Sequence, residues 1–453
     1  MNTTLAAAAE SMQATLHGAD RRFDGVSTDS RTLRNGELFF ALSGPNFDGS
    51  SFVVQAHDKG AAGAVVNRVV DADVAQLAVE DTRQALGQLG AAWRQQQPAR
   101  VIGITGSNGK TTLKELAAAC LSKAAPTLAT EGNLNNDIGV PLMLLRINES
   151  HDFAVLEMGA NHAGEIKYLT SLAQPNIVVI TNAAAAHLEG FGSVQGVAEA
   201  KGEILCGEIR PDLAILNADD RFFDSWSSLA GDVSILSFGL CESADVRADQ
   251  IVTESNQTRF HLYLPDAEVD VTLPLAGTHN VRNACAAAAV AIALGIPAEK
   301  IAAALESVRP IAGRLQAMDG LNNAKLYDDS YNANPFSVVS ASEFIVSLPG
   351  KSWLVLGDMG ELGEDAPSLH GEVGKAVSRA GVGRLFAVGE LCRNTVDAFG
   401  DNATWYASVE PLIEAVAADM ADDVNVLVKG SRFMRMERVV EALRLTPALS
   451  RKD

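Results

Sequence analysis

Short, wholly apolar runs recur along the chain and alternate with longer mixed stretches. Val101-Ile-Gly-Ile-Thr105, Phe153-Ala-Val-Leu156, Ile177-Val-Val-Ile180 and Leu213-Ala-Ile-Leu216 are four of them. Each is too short for a helix and lacks the alternation of a half-exposed strand, so each predicts a strand covered on both faces. Such strands, separated by helices, predict a parallel sheet between helical layers. One helix is expected from Thr111 to about Ala124 and another from Ser193 to Ile209. The longest apolar run, Ala284 to Leu294, predicts a buried Ala-rich helix; it is roughly half the ~20 residues a membrane span needs.

The same rhythm appears on both flanks. Upstream, a turn-rich stretch, Val26 to Arg31, precedes the strand-like Glu37-Leu-Phe-Phe-Ala-Leu42, the loop Ser43 to Ser50 and the strand-like Gly63-Ala-Val-Val66. Gln95-Gln-Gln-Pro98 has the composition of a linker. Downstream, Trp353-Leu-Val-Leu356, Leu385-Phe-Ala-Val388 and Val424-Asn-Val-Leu-Val428 close in Gly or charged residues. The tail Ser450 to Asp453 is expected to fray. With 453 residues, at ~150 per domain, about three domains are expected.

Charge narrows the function. Lys plus Arg number 36 and Asp plus Glu 56, a formal net charge of −20. That excludes a general nucleic-acid or anionic-membrane binder, whose footprint is basic. It leaves room for an anionic small ligand, which a local cluster of Lys, Arg and helix N-termini holds. The five cysteines include no C-x-x-C pair, which points to a reducing cytoplasm and against a disulfide scaffold or thiolate zinc site. The N-terminal stretch lacks the basic flank of a signal peptide.

In a covered parallel sheet, ligands bind beyond the carboxyl ends of the strands. There the chain places Thr105-Gly-Ser-Asn-Gly-Lys-Thr-Thr112, between a predicted strand and a predicted helix. Backbone N–H groups of such a loop wrap a phosphate and the helix dipole adds positive potential. Lys110 would reach the terminal phosphates and the Thr111 hydroxyl a Mg²⁺. The loop is shorter than G-x-x-x-x-G-K-[ST], because Ile104 stands where the first Gly would be. The competing reading is a Gly-rich turn with a solvated Lys.

Three further residues stand out. Glu157 ends an apolar strand and is placed either to hold Mg²⁺ or to cap a helix. His187 lies seven residues after Ile180 and is structural or catalytic with equal weight. Lys201 continues the apolar stripe of Val194, Val197, Ala198, Ile204 and Leu205. It either snorkels to solvent or is buried. A buried ammonium has a depressed pKa, and its neutral amine would react with CO₂ to a carbamate, an anion able to ligate a second Mg²⁺.

Together, Thr105 to Thr111, Glu157-Met-Gly159, His187 and Glu199-Ala-Lys-Gly-Glu203 resemble the Mur ligases, ATP-dependent amide ligases of peptidoglycan precursor synthesis. Thr130-Glu-Gly-Asn-Leu-Asn-Asn136, Asp328-Asp-Ser-Tyr-Asn-Ala-Asn-Pro335 and Leu356-Gly-Asp-Met-Gly-Glu-Leu362 strengthen the likeness across nearly the whole chain. No D-N-P-R motif, expected in the branch that adds the third amino acid, is present downstream. The resemblance implies an α/β fold of three domains: a small N-terminal α/β unit (1–98) binding a UDP-sugar nucleotide, a central P-loop parallel-sheet domain (99–312) binding ATP, and a C-terminal Rossmann-like α/β domain (313–453). The last would close over ATP about a hinge near Ala312 to Arg314.

The implied substrates are ATP, UDP-N-acetylmuramoyl-tripeptide and D-alanyl-D-alanine, with two Mg²⁺, in a cytoplasmic monomer. Gly106, Ser107, Asn108, Gly109, Lys110, Thr111 and Thr112 would bind ATP phosphates. Asn280 and Asn283 would sit by the adenine, unless they merely cap the Ala-rich helix. Asp329 would hold the ribose, and Arg314 ribose or phosphate. Thr111, Glu157, His187 and Lys201 would hold metal, and Lys110, Glu157, His187 and Lys201 would serve catalysis. Ser30, Arg31, Gly44, Asn46, Phe47, Asp48 and Gly49 would cradle the UDP end. Thr130, Asn135 and Asn136 would line the muramoyl-peptide channel, and Tyr331, Asn332 and Asn334 would seat the dipeptide. A folylpolyglutamate synthase-like ligase would not need the 98 residues ahead of the loop, and a P-loop ATPase or kinase would turn over without a peptide.

Overall fold

The computed structural model describes residues 1–44 and 47–445; the expected frayed tail lies outside them. Three large sheets follow one another along the chain, with two small two-stranded ones in the N-terminal unit among the described residues. The first has five strands in the order Thr15–His17, Gln76–Ala78, Gly63–Val66, Glu37–Phe40 and Gly25–Ser27, parallel except for the first pair. Helix α1 (Thr82–Gln95) starts on Asp81, whose carboxylate accepts the Arg83 and Gln84 amides. The expected linker, Gln95 to Pro98, runs from the end of α1 to the central unit, and the two residues before it are packed. The buried Arg94 guanidinium donates to the carbonyls of Ala173 and Gln97, and the Trp93 indole to that of Ile147.

The central sheet carries the site. Its labelled elements are β1 (Arg100–Thr105), α2 (Lys110–Ser122), β2 (Phe153–Glu157), β3 (Ile177–Ile180), α3 (Val194–Gly202), β4 (Leu213–Asn217) and α4 (Thr278–Ala293). Nine strands run in the order Thr127–Ala129, β2, β1, β3, β4, Ser234–Gly239, Val246–Thr253, Thr258–Leu264 and Ala267–Leu273. All pairs are parallel except the last two, which form an antiparallel meander. The sheet is therefore mixed, not purely parallel. The meander strands alternate buried and open positions and so need a cover on one face only, which α4 provides.

Two helices differ from expectation. α4 begins at Thr278, so Asn280 and Asn283 lie inside its first two turns and do not precede it. α3 ends at Gly202 and passes into a 3-10 turn, Glu203–Leu205, well short of Ile209. The Glu203 carboxylate accepts the amides of Gly164 and Lys167 at the start of a neighbouring helix, which takes the chain off the α3 axis.

The C-terminal sheet contains β5 (Lys325–Asp329), β6 (Lys351–Gly357), β7 (Arg384–Val388) and β8 (Val424–Lys429), with α5 (Pro335–Ser347) after β5. Its order is Gln316–Asp319, β5, β8, β6, β7 and Ala403–Tyr406, parallel after the first pair. Both this sheet and the central one bury aliphatic side chains on two faces. Each buried Val, Ile or Leu is worth ~1.5–3 kcal/mol, so the frame that carries the polar strand ends is stiff. Among the described residues, no helix is long and apolar enough to cross a membrane.

Candidate active site

The phosphate loop lies between β1 and α2. Gly109 precedes α2 at φ +83°, a left-handed conformation, and a Cβ there would come within 2.5 Å of the Asn283 side-chain oxygen. Only glycine avoids both the strain and the collision. The loop is tied to the end of β3. The Ser107 amide donates to the Asn182 carbonyl, the Asn108 amide to Asn182 Oδ1, and the Thr181 hydroxyl to the Asn108 carbonyl. Lys110 folds back, its Nζ donating to the Gly106 carbonyl at 2.7 Å. Burial pushes its pKa below the ordinary value, Glu157 opposes the shift and Arg314 adds to it.

Glu157 is buried at 3% exposure. The Thr111 hydroxyl donates to its Oε2 at 3.0 Å and Asn135 Nδ2 to its Oε1 at 2.8 Å. Thr130, expected in the peptide channel, is buried instead. Its hydroxyl accepts the Glu157 amide and its carbonyl the Lys114 ammonium. Thr130 therefore places Glu157 rather than facing the cleft.

His187 adopts φ +53° and sets its Nδ1 2.6 Å from the Glu361 carboxylate of the C-terminal unit. Glu361 is itself at φ +62°, and the His187 ring holds its carboxyl below the usual range. Lys201 is only 1% exposed, so its side chain does not snorkel. Its ammonium lies 5.1 Å from the Phe191 ring centroid and has no hydrogen bond or ion pair among the described residues. Burial, with the Lys110 charge nearby, pushes it down to about 7. It does not line the cleft.

From the other side, the Arg314 guanidinium stacks 4.1 Å from the Tyr331 ring and donates to the Thr111 hydroxyl. Asn334 caps α5 and donates to Asn108 Oδ1 at 2.8 Å. Asp329 pairs with Lys429 at 2.6 Å. These groups and the loop enclose one cleft of about 730 Å³. Ser107 to Thr112, Asn135, Asn136, Glu157, His187, Asn280, Asn283, Arg314, Asp329, Tyr331, Asn332 and Asn334 all line it. Gly106 stands behind the loop at φ +142°, where a Cβ would strike the Thr181 hydroxyl.

The expected UDP cradle is separate from this cleft. Ser30 is buried and donates to Gln55, while Arg31 is exposed and paired with Asp29. Asp48 pairs with Arg68 and caps the Ser50 amide, and Gly49 lies against the Leu42 carbonyl. Gly44 is exposed; Asn46 lies outside the described residues, and of Phe47 only the backbone is described, in a short strand paired antiparallel with that of Gly44.

Asn182, Asp220, His279 and Lys429, not expected from the sequence, also line the cleft. Asn182 and Asp220 stood at strand ends already marked as the place to look. A Lys closing the apolar run Val424 to Val428 was the available signal for Lys429. A second set of ligand-type side chains, Asp358, His370 and Cys392, is buried in the C-terminal unit. His370 is occupied there. One ring nitrogen accepts the Met359 amide and the other faces the Ala366 carbonyl, and burial holds the Cys392 thiol protonated. These bonds tie the cluster to the backbone of the C-terminal unit.

A phosphate loop, a carboxylate on the next strand and a third domain reaching the same cleft define a nucleotide-dependent ligase architecture. Family models match in the same order along the chain. The "Mur ligase family, catalytic domain" matches residues 22–94, the "Mur ligase middle domain" 104–291 and the "Mur ligase, glutamate ligase domain" 313–432. The chain belongs to the Mur ligase family. Within it, the chain is 44% identical over 98% of its length to UDP-N-acetylmuramoyl-tripeptide–D-alanyl-D-alanine ligase of Escherichia coli, of which it covers 98%, and 40% identical over 96% to that of Haemophilus influenzae, of which it covers 97%. Its fold is similar to a crystal structure of MurF from Acinetobacter baumannii, with TM-score 0.92, 37% identity and 97% and 98% of the two chains covered. It is also similar to MurF ligase from Thermotoga maritima in complex with ADP, with TM-score 0.81, 26% identity and 92% and 96% covered.

Proposed function

We infer that the chain joins D-alanyl-D-alanine to UDP-N-acetylmuramoyl-tripeptide, with ATP, giving UDP-N-acetylmuramoyl-pentapeptide, ADP and inorganic phosphate. One observation carries the reading. The phosphate loop, Glu157 and His187 meet Arg314, Asp329 and Asn334 of a separate unit in one cleft, as a reaction between an activated acid and a third substrate requires.

A carboxylate does not condense with an amine in water, because its oxygen is a poor leaving group. In the first step a carboxylate oxygen of the tripeptide attacks the γ-phosphorus, the bond to the bridging oxygen breaks and ADP leaves. In the second, the dipeptide amine attacks the acyl carbon and loses a proton, the acyl carbon–oxygen bond breaks and phosphate departs. Lys110 and Arg314 put two cations beside the loop, where charge develops on the transferring phosphoryl group. The amides at the α2 N-terminus orient the phosphates. Asn280 and Asn283 hold the adenine and Asp329 the ribose. Burial in the cleft keeps water from the acyl phosphate.

Thr111 and Glu157 offer hard oxygen donors 3.0 Å apart, the chemistry Mg²⁺ selects. His187 and Lys201, once carbamylated, would serve a second ion. Bound Mg²⁺ neutralises phosphate oxygens. The unit 1–98, through Ser30, Arg31 and the segment from Gly44 to Gly49, holds the UDP end, and Asn135 and Asn136 the peptide. The unit 313–453 seats the dipeptide with Tyr331, Asn332 and Asn334. One chain supplies the groups of the cleft named above, which supports a monomer, and the use of ATP supports a cytoplasmic reaction.

The test is phosphate release from Mg-ATP with UDP-N-acetylmuramoyl-tripeptide, with and without D-alanyl-D-alanine. Release that needs both, with a pentapeptide nucleotide by mass, supports the reading. Release that needs neither leaves a simple ATPase and overturns it.

A further inference from the structure

Two consecutive carboxylates at the end of β5 grip the hinge. Asp328 Oδ2 accepts the Gly313 amide at 3.1 Å and Asp329 Oδ1 accepts the Leu315 amide at 3.1 Å. The residue between them, Arg314, is the one whose guanidinium reaches Thr111 of the phosphate loop. Leu315 stands at φ +51°, left-handed and unfavourable for a branched side chain, so its conformation is imposed by what surrounds it. Lys429 is part of that surrounding. It lies beside Asp329 in the parallel register of β5 and β8. Its side chain is 3% exposed, and its ammonium donates to Asp329 Oδ2 at 2.6 Å and to the Asn332 carbonyl at 2.9 Å.

We propose that Lys429 is a positioning residue, which through Asp329 sets the hinge peptide 313–315 and so aims Arg314 at the phosphate loop. Without it, Asp329 is a largely buried carboxylate with one amide partner. Such a charge draws in water and new partners, and the Leu315 amide is released from its strained position. The inference rests on the reading that Arg314 faces ATP phosphates.

The experiment is a double-mutant cycle on the full chain with Lys429→Gln, Arg314→Ala and both. It reads affinity for the β,γ-methylene analogue of ATP by calorimetry, alongside melting temperature. Lys429→Gln is expected to weaken binding about tenfold, and the double variant to bind no more weakly than Arg314→Ala alone, because both changes act on one contact. Unchanged analogue affinity would overturn the proposal and leave Lys429 a purely structural group; losses that add would overturn it as well and assign the effect of Lys429 to the ribose side of Asp329 rather than to Arg314. Should Lys429→Gln not fold, Lys429→Arg keeps the charge; analogue affinity within about threefold of wild type is expected, and a full loss would count against the proposal. A wild-type chain that binds the analogue yet forms no pentapeptide would sink the proposed reaction while the cycle still decides the role of Lys429.

Discussion

At the residue scale, Lys201 carries the sharpest chemistry. Its pKa falls from 10.5 to about 7 through burial. Below pH 7 the ammonium is charged in folded and unfolded chains alike, and burying it costs the fold its full penalty. Between pH 7 and 10.5 the unfolded chain keeps the proton and the folded chain does not, so stability rises with pH, by at most about 1.4 kcal/mol per unit from this group. Lys201→Met should therefore stabilise the protein most near pH 6 and progressively less toward pH 9, as read by urea unfolding in CO₂-free buffer. An advantage independent of pH would mean that no charged ammonium is buried. In activity, Lys201→Ala should lose most turnover and regain part of it with a short-chain carboxylic acid standing in for the carbamate. Failure of that rescue would leave Lys201 as a plain cation. The apolar stripe of α3 singled Lys201 out but left open whether it snorkels or is buried; packing decided that. The roles of Thr130 and Lys429 were not legible, since a buried Thr behind Glu157 and a Lys beside Asp329 become neighbours only when strands pair.

At the scale of elements, the phosphate loop is the most local feature and the most legible one. Gly109→Ala tests it. The substitution meets left-handed strain of ~1–2 kcal/mol and the Asn283 side chain together. It should lower nucleotide affinity by tenfold or more while costing only a few degrees of melting temperature. Equal affinity would show that the loop tolerates another shape. Helix limits were less legible. The polar start of α4, Thr278-His-Asn-Val-Arg-Asn283, hid a helix that its apolar run announced only from Ala284. Ile204 and Leu205 extended the α3 pattern past its true end because a 3-10 turn preserves much the same face.

At the scale of the molecule, the contacts that join the C-terminal unit to the central one include Arg314 to Thr111, Asn334 to Asn108, Glu361 beside His187, and the Glu189 amide on the Glu361 carbonyl. The Glu361 pair is half exposed and adds little by itself. Asn334 also caps α5, so Asn334→Ala loses the cap, worth about 1 kcal/mol, together with the bridge. Combined with Glu361→Ala it should enlarge the radius of gyration of the ligand-free chain in small-angle scattering, and an ATP analogue should partly reverse the change. An identical radius would show that these contacts do not hold the units together. By itself the sequence determined the strands, the loop and the strand-end residues, because those depend on neighbours a few positions apart. Tertiary structure alone decided that the central sheet ends in a meander, that Lys429 meets Asp329 and that His187 meets Glu361. The last two pair residues 100 or more positions apart, across strands or across a hinge, and local pattern carries no information about which distant backbone will lie alongside; the meander pairs neighbours, but its half-exposed strands carry no covered apolar run to announce them.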